Sequence, residues 1–263
     1  MSDVFDLMVP ENSYIFGLFQ TDGSLQKQSR NRGRLALEIK SSDFKIIKQI
    51  KEILPVKSFI SHRCRDTNFS KNYKSITLTI YDLKFRTRIN SLGLPYGPKS
   101  KIISPPITKF SEPDYIRGLI DGDGSLGLTK ENRPFISLTT QSSAITKYYL
   151  SVIESLTKRI YSPKRNKRDN IYNISCFMES AQIISSYLYY DNCLSLARKY
   201  NSASMVKTWQ RPSNIKRRPP SKRWTLEQDN FILNNSIEDA VKQLNRSKTS
   251  IDLRLRRLNG ATY

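Results

Sequence analysis

The sequence predicts an α+β protein built from two tandem repeats with the order α-β-β-α-β-β-α, followed by a small all-α domain. The pattern Tyr-Ile-x-Gly-Leu-x-x-x-Asp-Gly-Ser-Leu occurs at 14–25 and again at 115–126, with eight of twelve positions identical. Each copy is followed by runs of alternating apolar and polar residues, which is typical of strands exposed on one face. After residue 208 the chain becomes rich in proline and basic residues, and then shows three short helical patterns.

The first repeat is predicted at residues 1–105 and the second at 106–208. Capping residues and hydrophobic spacing define the elements of each repeat. In the first they are a helix over 14–21 capped by Ser13, a strand over 34–40, a helix from Asp43, a strand over 76–80 and a helix from Asp82 to about residue 92. In the second they are a helix over 114–122, strands over 125–129 and 135–139, a helix over 144–156, strands near 159–164 and 171–177, and a helix over 179–190.

The chain is strongly basic, with 44 Lys and Arg against 23 Asp and Glu and a net charge of +21. This excess predicts a polyanionic partner, because neutralised phosphates release condensed counterions. A nonspecifically basic, ribosome-like protein is the alternative on charge alone. The hydrophobic fraction of 38% is sufficient for folded cores.

Several classes of site are excluded by composition. Cys64, Cys176 and Cys193 form no Cys-x-x-Cys pair, so neither a disulfide framework nor a structural zinc site is predicted. His62 is the only histidine, which excludes nuclease chemistries that need a histidine cluster. No apolar run approaches a membrane span, and the first residues resemble neither a signal nor a transit peptide. We therefore expect an intracellular, DNA-associated protein of a bacterial cytoplasm or an organelle matrix.

Asp22 and Asp123 occupy equivalent places in the two copies of the repeated pattern. Each is predicted at the C-terminal end of a helix, where the backbone dipole disfavours an anion. Each helix carries small residues at four-residue spacing, Gly17 with Thr21 and Gly118 with Gly122. Such pairs lie on one helix face and let two backbones approach closely. If the helices pack side by side, the two aspartates become neighbours.

Two carboxylates at two helix C-termini would require a cation nearby. A hard divalent ion takes oxygen ligands from carboxylates, backbone carbonyls and water. Asp22 and Asp123 are therefore the predicted metal ligands, with carbonyls of Thr21 and Gly122 beside them. The simpler alternative is that both Asp-Gly pairs only end helices.

These motifs also resemble a known family. Gly-Leu-Phe-Gln-Thr-Asp-Gly at 17–23 and Gly-Leu-Ile-Asp-Gly-Asp-Gly at 118–124 are similar to the two motifs of a monomeric LAGLIDADG homing endonuclease, although Gln20 stands where the family often has an acid. The resemblance covers about residues 12–205. It implies a monomer with a saddle of two four-stranded antiparallel sheets over the DNA major groove, and Mg²⁺ or another divalent cation such as Mn²⁺ for hydrolysis of one phosphodiester on each strand.

The resemblance also implies further catalytic residues. A polar residue near the attacking water corresponds to Gln141 in the second repeat and to Ser41 in the first. A lysine that stabilises the transition state corresponds to Lys99 and Lys199, with Lys101 a competitor to Lys99. The alternative is that these lysines only contact phosphates.

Long polar side chains are expected to face DNA across the saddle, although some of them are expected to be only solvated charges. The predicted DNA contacts of the two repeats are Gln26, Lys27, Gln28, Arg30, Arg32, Arg34, Arg63, Arg65, Lys130, Arg133, Lys164, Arg165, Lys167 and Arg168.

Residues 209–223 form a predicted basic, proline-containing linker, and 224–263 a predicted helix-turn-helix module. The stretches 222–229 and 244–250 resemble the start of a Myb/SANT-type helix-turn-helix and the turn into its third helix. The alternative is a helical tail that packs on the core. The predicted DNA contacts here are Lys216, Arg217 and Arg218 in the linker, and Lys248, Ser250 and Arg254 in the module.

These observations predict a site-specific, intron-encoded DNA endonuclease that cleaves both strands with a divalent metal. Two alternatives on the same fold remain open, which are an RNA maturase and a catalytically silent DNA-binding regulator. Double-stranded DNA is the expected partner, and no protein partner is implied.

Overall fold

The computed structural model of the protein describes residues 5–66, 71–166, 168–215 and 224–260. The chain forms two compact units, Met1–Arg217 and Arg218–Tyr263. The predicted DNA contacts Lys167, Lys216, Arg217 and Arg218 lie outside the described residues.

The first repeat folds around one antiparallel sheet with the strand order β1-β2-β4-β3. Its elements are α1 (Pro10–Thr21), β1 (Gly23–Leu25), β2 (Leu35–Lys40), α2 (Phe44–Ile53), β3 (Ser58–Arg65), β4 (Tyr73–Ile80) and α3 (Leu83–Ser91). The predicted cap of α3 is confirmed, since the Asp82 side chain accepts a hydrogen bond from the Phe85 backbone N–H at 2.7 Å.

The second repeat has the same plan, with a sheet of order β5-β6-β8-β7. Its elements are α4 (Glu112–Asp123), β5 (Gly124–Leu128), β6 (Pro134–Thr140), α5 (Ser143–Thr157), β7 (Lys164–Asn166), β8 (Ile171–Phe177) and α6 (Glu179–Leu188), followed by α7 (Ala197–Thr208). The predicted α+β duplication is thus confirmed, and α7 is an addition to it.

Several details differ from the sequence expectation, and no individual elements were predicted for β1 and β3 of the first repeat. Helix α1 begins at Pro10, so Ser13 lies buried inside the helix and its hydroxyl donates to the Leu7 carbonyl at 2.5 Å instead of capping. Strand β7 begins after Pro163, because proline cannot donate a ladder hydrogen bond. Helix α7 was not predicted, since its apolar residues show little amphipathic spacing.

Each sheet has one face covered by helices and one face that we call the open face. In β2 the side chains of Leu35, Leu37 and Ile39 are buried against the helices. The intervening residues Glu38 and Lys40 therefore point to the open face. The same alternation in β6 assigns Phe135, Ser137 and Thr139 to the open face of the second sheet.

The two repeats meet where α1 crosses α4 at Gly17 and Gly118. A Cβ atom at Gly17 would lie 2.5 Å from the Tyr115 carbonyl oxygen and 3.0 Å from the Gly118 Cα. The helices therefore touch backbone to backbone, and only glycine fits on either side. Buried residues of both repeats belong to one continuous hydrophobic core.

Buried tyrosines reach across this seam in both directions. The Tyr14 hydroxyl donates to Asp121 Oδ2 at 2.7 Å, and the Tyr115 hydroxyl donates to Gln20 Oε1 at 2.5 Å. Gln20 and Asp121 occupy equivalent positions of the repeated pattern. Gln20 and Asp121 therefore both serve as buried hydrogen-bond acceptors at the seam. Either an amide or a carboxylate can take this role.

The C-terminal unit contains three helices, α8 (Leu226–Asn234), α9 (Ile237–Leu244) and α10 (Lys248–Leu258). Ile232, Ala240 and Ile251 form its buried core. The prediction that the C-terminal domain is all-α is confirmed. Within the described part of the chain, none of the helices combines the length and apolar character needed to cross a bilayer.

Replacement of Gly118 by alanine tests the seam. The added Cβ would be forced against the Tyr14 carbonyl and to 3.0 Å from the Gly17 Cα. We expect Gly118→Ala to lower the free energy of unfolding by about 1–3 kcal/mol, as overpacking does, despite the higher helix propensity of alanine. Urea denaturation followed by circular dichroism measures the change. Ser186→Ala, at an exposed position of α6, is the control and should change little.

Candidate functional site

Asp22 and Asp123 lie at the ends of the two helices that form the seam. Asp22 directly follows α1, where its N–H donates to the Leu18 carbonyl at 2.9 Å, and Asp123 is the last residue of α4. A Cβ at Gly122 would lie 2.9 Å from Asp22 Oδ2. The Asp22 carboxylate thus rests against the backbone of α4, one residue before Asp123, as the sequence predicted.

The negative charge of Asp123 disfavours ionisation of Asp22. Burial of its carboxyl group, together with the negative charge of Asp123, raises the pKa of Asp22 to about 6. Burial likewise raises the pKa of Asp123, while Lys99 and Lys199 act in the opposite direction on both acids. A bound cation would relieve this repulsion and stabilise both carboxylates in their charged form.

The two predicted lysines cap the C-terminal ends of the motif helices. Lys99 Nζ donates to the Thr21 carbonyl at 2.5 Å. Lys199 Nζ donates to the carbonyls of Asp121 and Gly124 at 2.7 and 2.9 Å, and also to that of Ile120. Each ammonium group neutralises the partial negative charge of a helix end. Lys99, and not the exposed Lys101, holds this position in the first repeat.

These contacts bear on the metal ligands that the sequence predicts. The Thr21 carbonyl already accepts the Lys99 ammonium, so the structure uses this oxygen for helix capping. The carbonyl of Gly122 and the two carboxylates are the remaining predicted oxygen ligands. Burial lowers the pKa of Lys199 to about 8, which is close enough to neutral pH for this amine to lose its proton in mildly alkaline solution.

A pocket of about 300 Å³ collects site residues from both repeats. Thr21 and Lys99 line it from the first repeat, and Asp123 and Gln141 from the second. A second pocket of about 500 Å³ extends from Asp22 over the open face of the first sheet. Asp123 therefore borders a pocket shared by both repeats, whereas Asp22 borders a pocket of the first repeat.

The strand registers bear on one prediction. Gly23 pairs with Leu37 in the first sheet, and Gly124 pairs with Leu138 in the second. Counting along the strands from these pairs makes Lys40 the equivalent of Gln141. The register therefore favours Lys40, the last residue of β2, over the predicted Ser41, which begins the short 3-10 turn Ser41–Asp43. The constant spacing of 101 residues between the motifs could have identified Lys40.

A buried arginine that the sequence analysis missed shapes the predicted DNA-binding segment between β1 and β2. The Arg86 side chain is inaccessible to solvent. Its Nε donates to the Tyr81 carbonyl at 3.2 Å, its Nη1 to the Gln26 carbonyl at 3.2 Å and its Nη2 to the Arg30 carbonyl at 2.6 Å. In the second repeat, the Trp209 indole donates to the Asn132 carbonyl at 2.7 Å and anchors the β5–β6 turn.

The structure places the polar residues predicted to contact DNA at the surface. Arg63 and Arg65 lie two residues apart on one face of β3, opposite Ser75 and Tyr73 of β4, and both are exposed. Arg168 pairs with Asp169 at 2.9 Å, and Arg165 donates to Asn170 at 3.0 Å. The predicted contacts that are exposed are Gln26, Lys27, Gln28, Arg30, Arg32, Arg34, Arg63, Arg65, Lys130, Arg133, Lys164, Arg165 and Arg168.

In the C-terminal unit, Arg254 has an internal role. Its Nε and Nη2 donate to the two carboxylate oxygens of Asp229 at 2.8 and 2.5 Å, and its guanidinium lies 5.9 Å from the Trp224 ring. This bidentate pair ties α10 to α8. Arg254 is therefore engaged within the module instead of being free for DNA, whereas Lys248 is exposed and Ser250 is half-buried.

Comparison with known proteins agrees with this duplicated architecture. The family model described as LAGLIDADG-like domain matches residues 10–92 and 113–194. The chain belongs to this LAGLIDADG-like family. The family match does not extend to the C-terminal unit, whose helix-turn-helix character stays a prediction. No curated protein matches the chain in sequence.

Several solved structures match the chain at low sequence identity. Mesophilic variants of the homing endonuclease I-DmoI match with 13% identity and a TM-score of 0.50, over 76% of this chain and 99% of theirs. I-DmoI in complex with DNA and Ca matches with 14% identity and a TM-score of 0.52, over 76% and 99%. The N-terminal LAGLIDADG domain of DUF199/WhiA matches with 12% identity and a TM-score of 0.47, over 76% and 90%.

The donor set of this LAGLIDADG site suits a hard divalent cation. Among the described residues, no cluster of three or more His, Cys, Asp or Glu side chains could hold a metal ion. Two carboxylates do meet at the seam, and Mg²⁺ is commonly held by one or two carboxylates together with water and substrate phosphates. Asp22 and Asp123 therefore fit a cation whose remaining ligands come from water and the substrate. They do not fit a site in which the protein supplies every ligand.

The raised pKa of Asp22 gives a test of the shared site in metal-free protein. We expect Asp22 to titrate near pH 6, so that it carries a proton below this pH. Asp123→Asn should move this pKa toward 3.8, because it removes the second-largest cause of the shift. Carboxyl ¹³C NMR titration in EDTA measures both values. Asp191→Asn, which removes an exposed carboxylate elsewhere, should leave the Asp22 titration unchanged.

Proposed function

We propose that the protein is a site-specific DNA endonuclease that hydrolyses both strands of a double-stranded target with a divalent cation. The observation that carries this proposal is the meeting of Asp22 and Asp123 at the ends of α1 and α4. Each acid comes from one repeat, so one chain supplies one acid for each DNA strand. We infer that the protein acts as a monomer for the same reason.

The open faces of the two sheets are the proposed DNA-binding surface. They connect to exposed basic residues on the turns and strands of both repeats, and a net charge of +21 favours a duplex as ligand. I-DmoI, which shares the fold, has been seen in complex with DNA and Ca. Contacts to phosphates would fix the register of the duplex, and contacts to base edges would select its sequence.

Asp22 and Asp123 would hold Mg²⁺ or Mn²⁺ beside the scissile phosphates. When bound, such an ion activates water and stabilises charge on the phosphate and the leaving oxygen. Gln141 shares the pocket of Asp123 and is the proposed orienting group for water in the second repeat. Lys99 and Lys199 hold the carbonyls at the helix ends, and so fix the backbone from which each acid projects.

We also propose the boundaries of the functional modules. Residues 1–105 and 106–208 form the two cleavage halves, 209–223 the basic linker and 224–263 a helix-turn-helix that adds DNA contacts. Linkage to the nuclease would raise the effective concentration of the second module near the same duplex. The helix α10 would present Lys248 and Ser250 to DNA.

A cleavage assay tests the nuclease directly. The full-length protein with Mg²⁺ should linearise a plasmid that carries the intron-less insertion site, and EDTA should abolish this cleavage. Asp22→Asn and Asp123→Asn should each lower the cleavage rate by about 100-fold or more, because the ion supplies several kcal/mol of stabilisation. Binding of the same DNA should persist in a gel-shift assay.

The same assay separates the competing functions. Asp191→Asn is the matched control and should cleave like the parent protein. Full activity of Asp123→Asn would contradict the proposed role of the paired acids. Splicing of the intron RNA without DNA cleavage would favour a maturase, and a gel shift without cleavage would favour a DNA-binding regulator.

The C-terminal module gives a separate prediction. Lys248→Ala should weaken DNA binding about equally for all sequences and reduce the slope of log K against log[salt] by about one, as loss of one phosphate contact does. Fluorescence anisotropy at several salt concentrations measures the slope. Lys242→Ala, which removes an exposed lysine from α9, is the control. An unchanged slope for Lys248→Ala would exclude this residue as a phosphate contact.

A further inference from the structure

One acidic residue interrupts the proposed DNA-binding surface. The described strand residues of both sheets, β1 to β8, include a single carboxylate, that of Glu38. It lies in β2, between the neighbouring strands β1 and β4, and its side chain is 30% exposed. Because Leu37 and Ile39 on either side are buried against the helices, Glu38 projects from the open face.

The Glu38 carboxylate is held in place by two neighbours. Ser75 Oγ donates to Glu38 Oε1 at 2.7 Å, and Arg65 Nη2 lies 3.0 Å from the same oxygen. Both contacts use Oε1, and no group of the described residues makes a hydrogen bond to Oε2. Thr77 pairs with Glu38 in the ladder, and Ser61 pairs with Thr77, so small polar side chains surround it. Oε2 is therefore an acceptor available to a ligand.

A free carboxylate oxygen on this surface discriminates between parts of the duplex. It repels phosphates, so it gives no general affinity for DNA. In the major groove it can accept from the amino group of cytosine or adenine, and carboxylates favour cytosine N4. Adenine also presents N7, an acceptor that would oppose a carboxylate. The neighbouring Arg65 is a donor that matches O6 and N7 of guanine.

We propose that Glu38 and Arg65 together select a C·G base pair in the first half of the target. Oε2 of Glu38 accepts from cytosine N4, and the Arg65 guanidinium donates to the paired guanine. Ser75 fixes the rotamer of Glu38 through Oε1. This assignment rests on the proposed function, since it requires that the open face meets the major groove of a specific target.

Selection of binding sites from randomised DNA duplexes tests the assignment in the full-length protein. The selection is run without divalent cations, so that cleavage does not enter the result. The parent protein should enrich a sequence with C·G at one position. Glu38→Gln should lower the preference for C·G there by roughly tenfold and raise that for A·T, because glutamine pairs with adenine N6 and N7. Glu38→Ala should lower the preference for C·G without raising that for A·T, because Arg65 still matches guanine.

Affinity for unrelated DNA provides a second readout. Neutralising Glu38 removes a repulsion, so both variants should bind unrelated duplexes as tightly as the parent protein or more tightly. Glu52→Gln, an exposed substitution in α2, should leave both the selected sequence and the affinity unchanged. Circular dichroism confirms that the variants are folded.

The outcomes separate this assignment from the function on which it rests. An enriched sequence that is the same for the parent protein and both Glu38 variants would overturn the role of Glu38 alone. If the variants bind all sequences more weakly with the same base preference, Glu38 only supports Arg65 structurally. This outcome would also overturn the assignment. A parent protein that enriches no sequence would overturn sequence-specific recognition itself, and the assignment with it.

Discussion

The close approach of two helix backbones at Gly17 and Gly118 governs the arrangement of the whole nuclease-like unit. A Cβ on either glycine would overlap the opposite helix, so the seam exists only because both positions lack one. This contact joins the two repeats into one core and brings their helix ends together. The pairing of Asp22 with Asp123 follows from it.

Two kinds of charged group lie at the helix ends, the lysine ammonium groups and the aspartate carboxylates. Lys99 and Lys199 donate to backbone carbonyls and satisfy the partial negative charge of the helix termini. Both lysines act to lower the pKa of each acid, yet burial keeps both pKa values raised, and the charge of Asp123 adds to the shift at Asp22. The site is thus left with two acids that gain from a cation and a substrate. Two such acids are what a metal-assisted reaction on a phosphate needs.

Much of this arrangement could be predicted from the sequence, because the two motifs repeat at a constant spacing and the strands alternate clearly. The element order of the second repeat up to α6, the seam helices and the neighbouring aspartates were predicted correctly from local patterns. The position of Lys40 was missed because a one-residue difference in alignment moves a side chain to the other face of a strand. Arg86 and Arg254 could not be assigned, because a charged residue whose partners are distant carbonyls or a distant acid looks like any solvated charge until the chain is folded.

The tyrosine contacts across the seam have a consequence for how the halves can change. Tyr14 and Tyr115 present the same hydroxyl to the opposite repeat, whereas the acceptors Gln20 and Asp121 draw their other partners from their own repeat: Gln20 from the carbonyls of Gly93 and Ser104, Asp121 from the Tyr189 hydroxyl and the Leu196 amide. At these two positions, the difference between an amide and a carboxylate is therefore absorbed inside each half. A foreign half joined to one of these halves would have to match the glycine and tyrosine contacts, and also pairs such as Ser13 with Ser111 and Asp43 with Arg198 that link the two repeats.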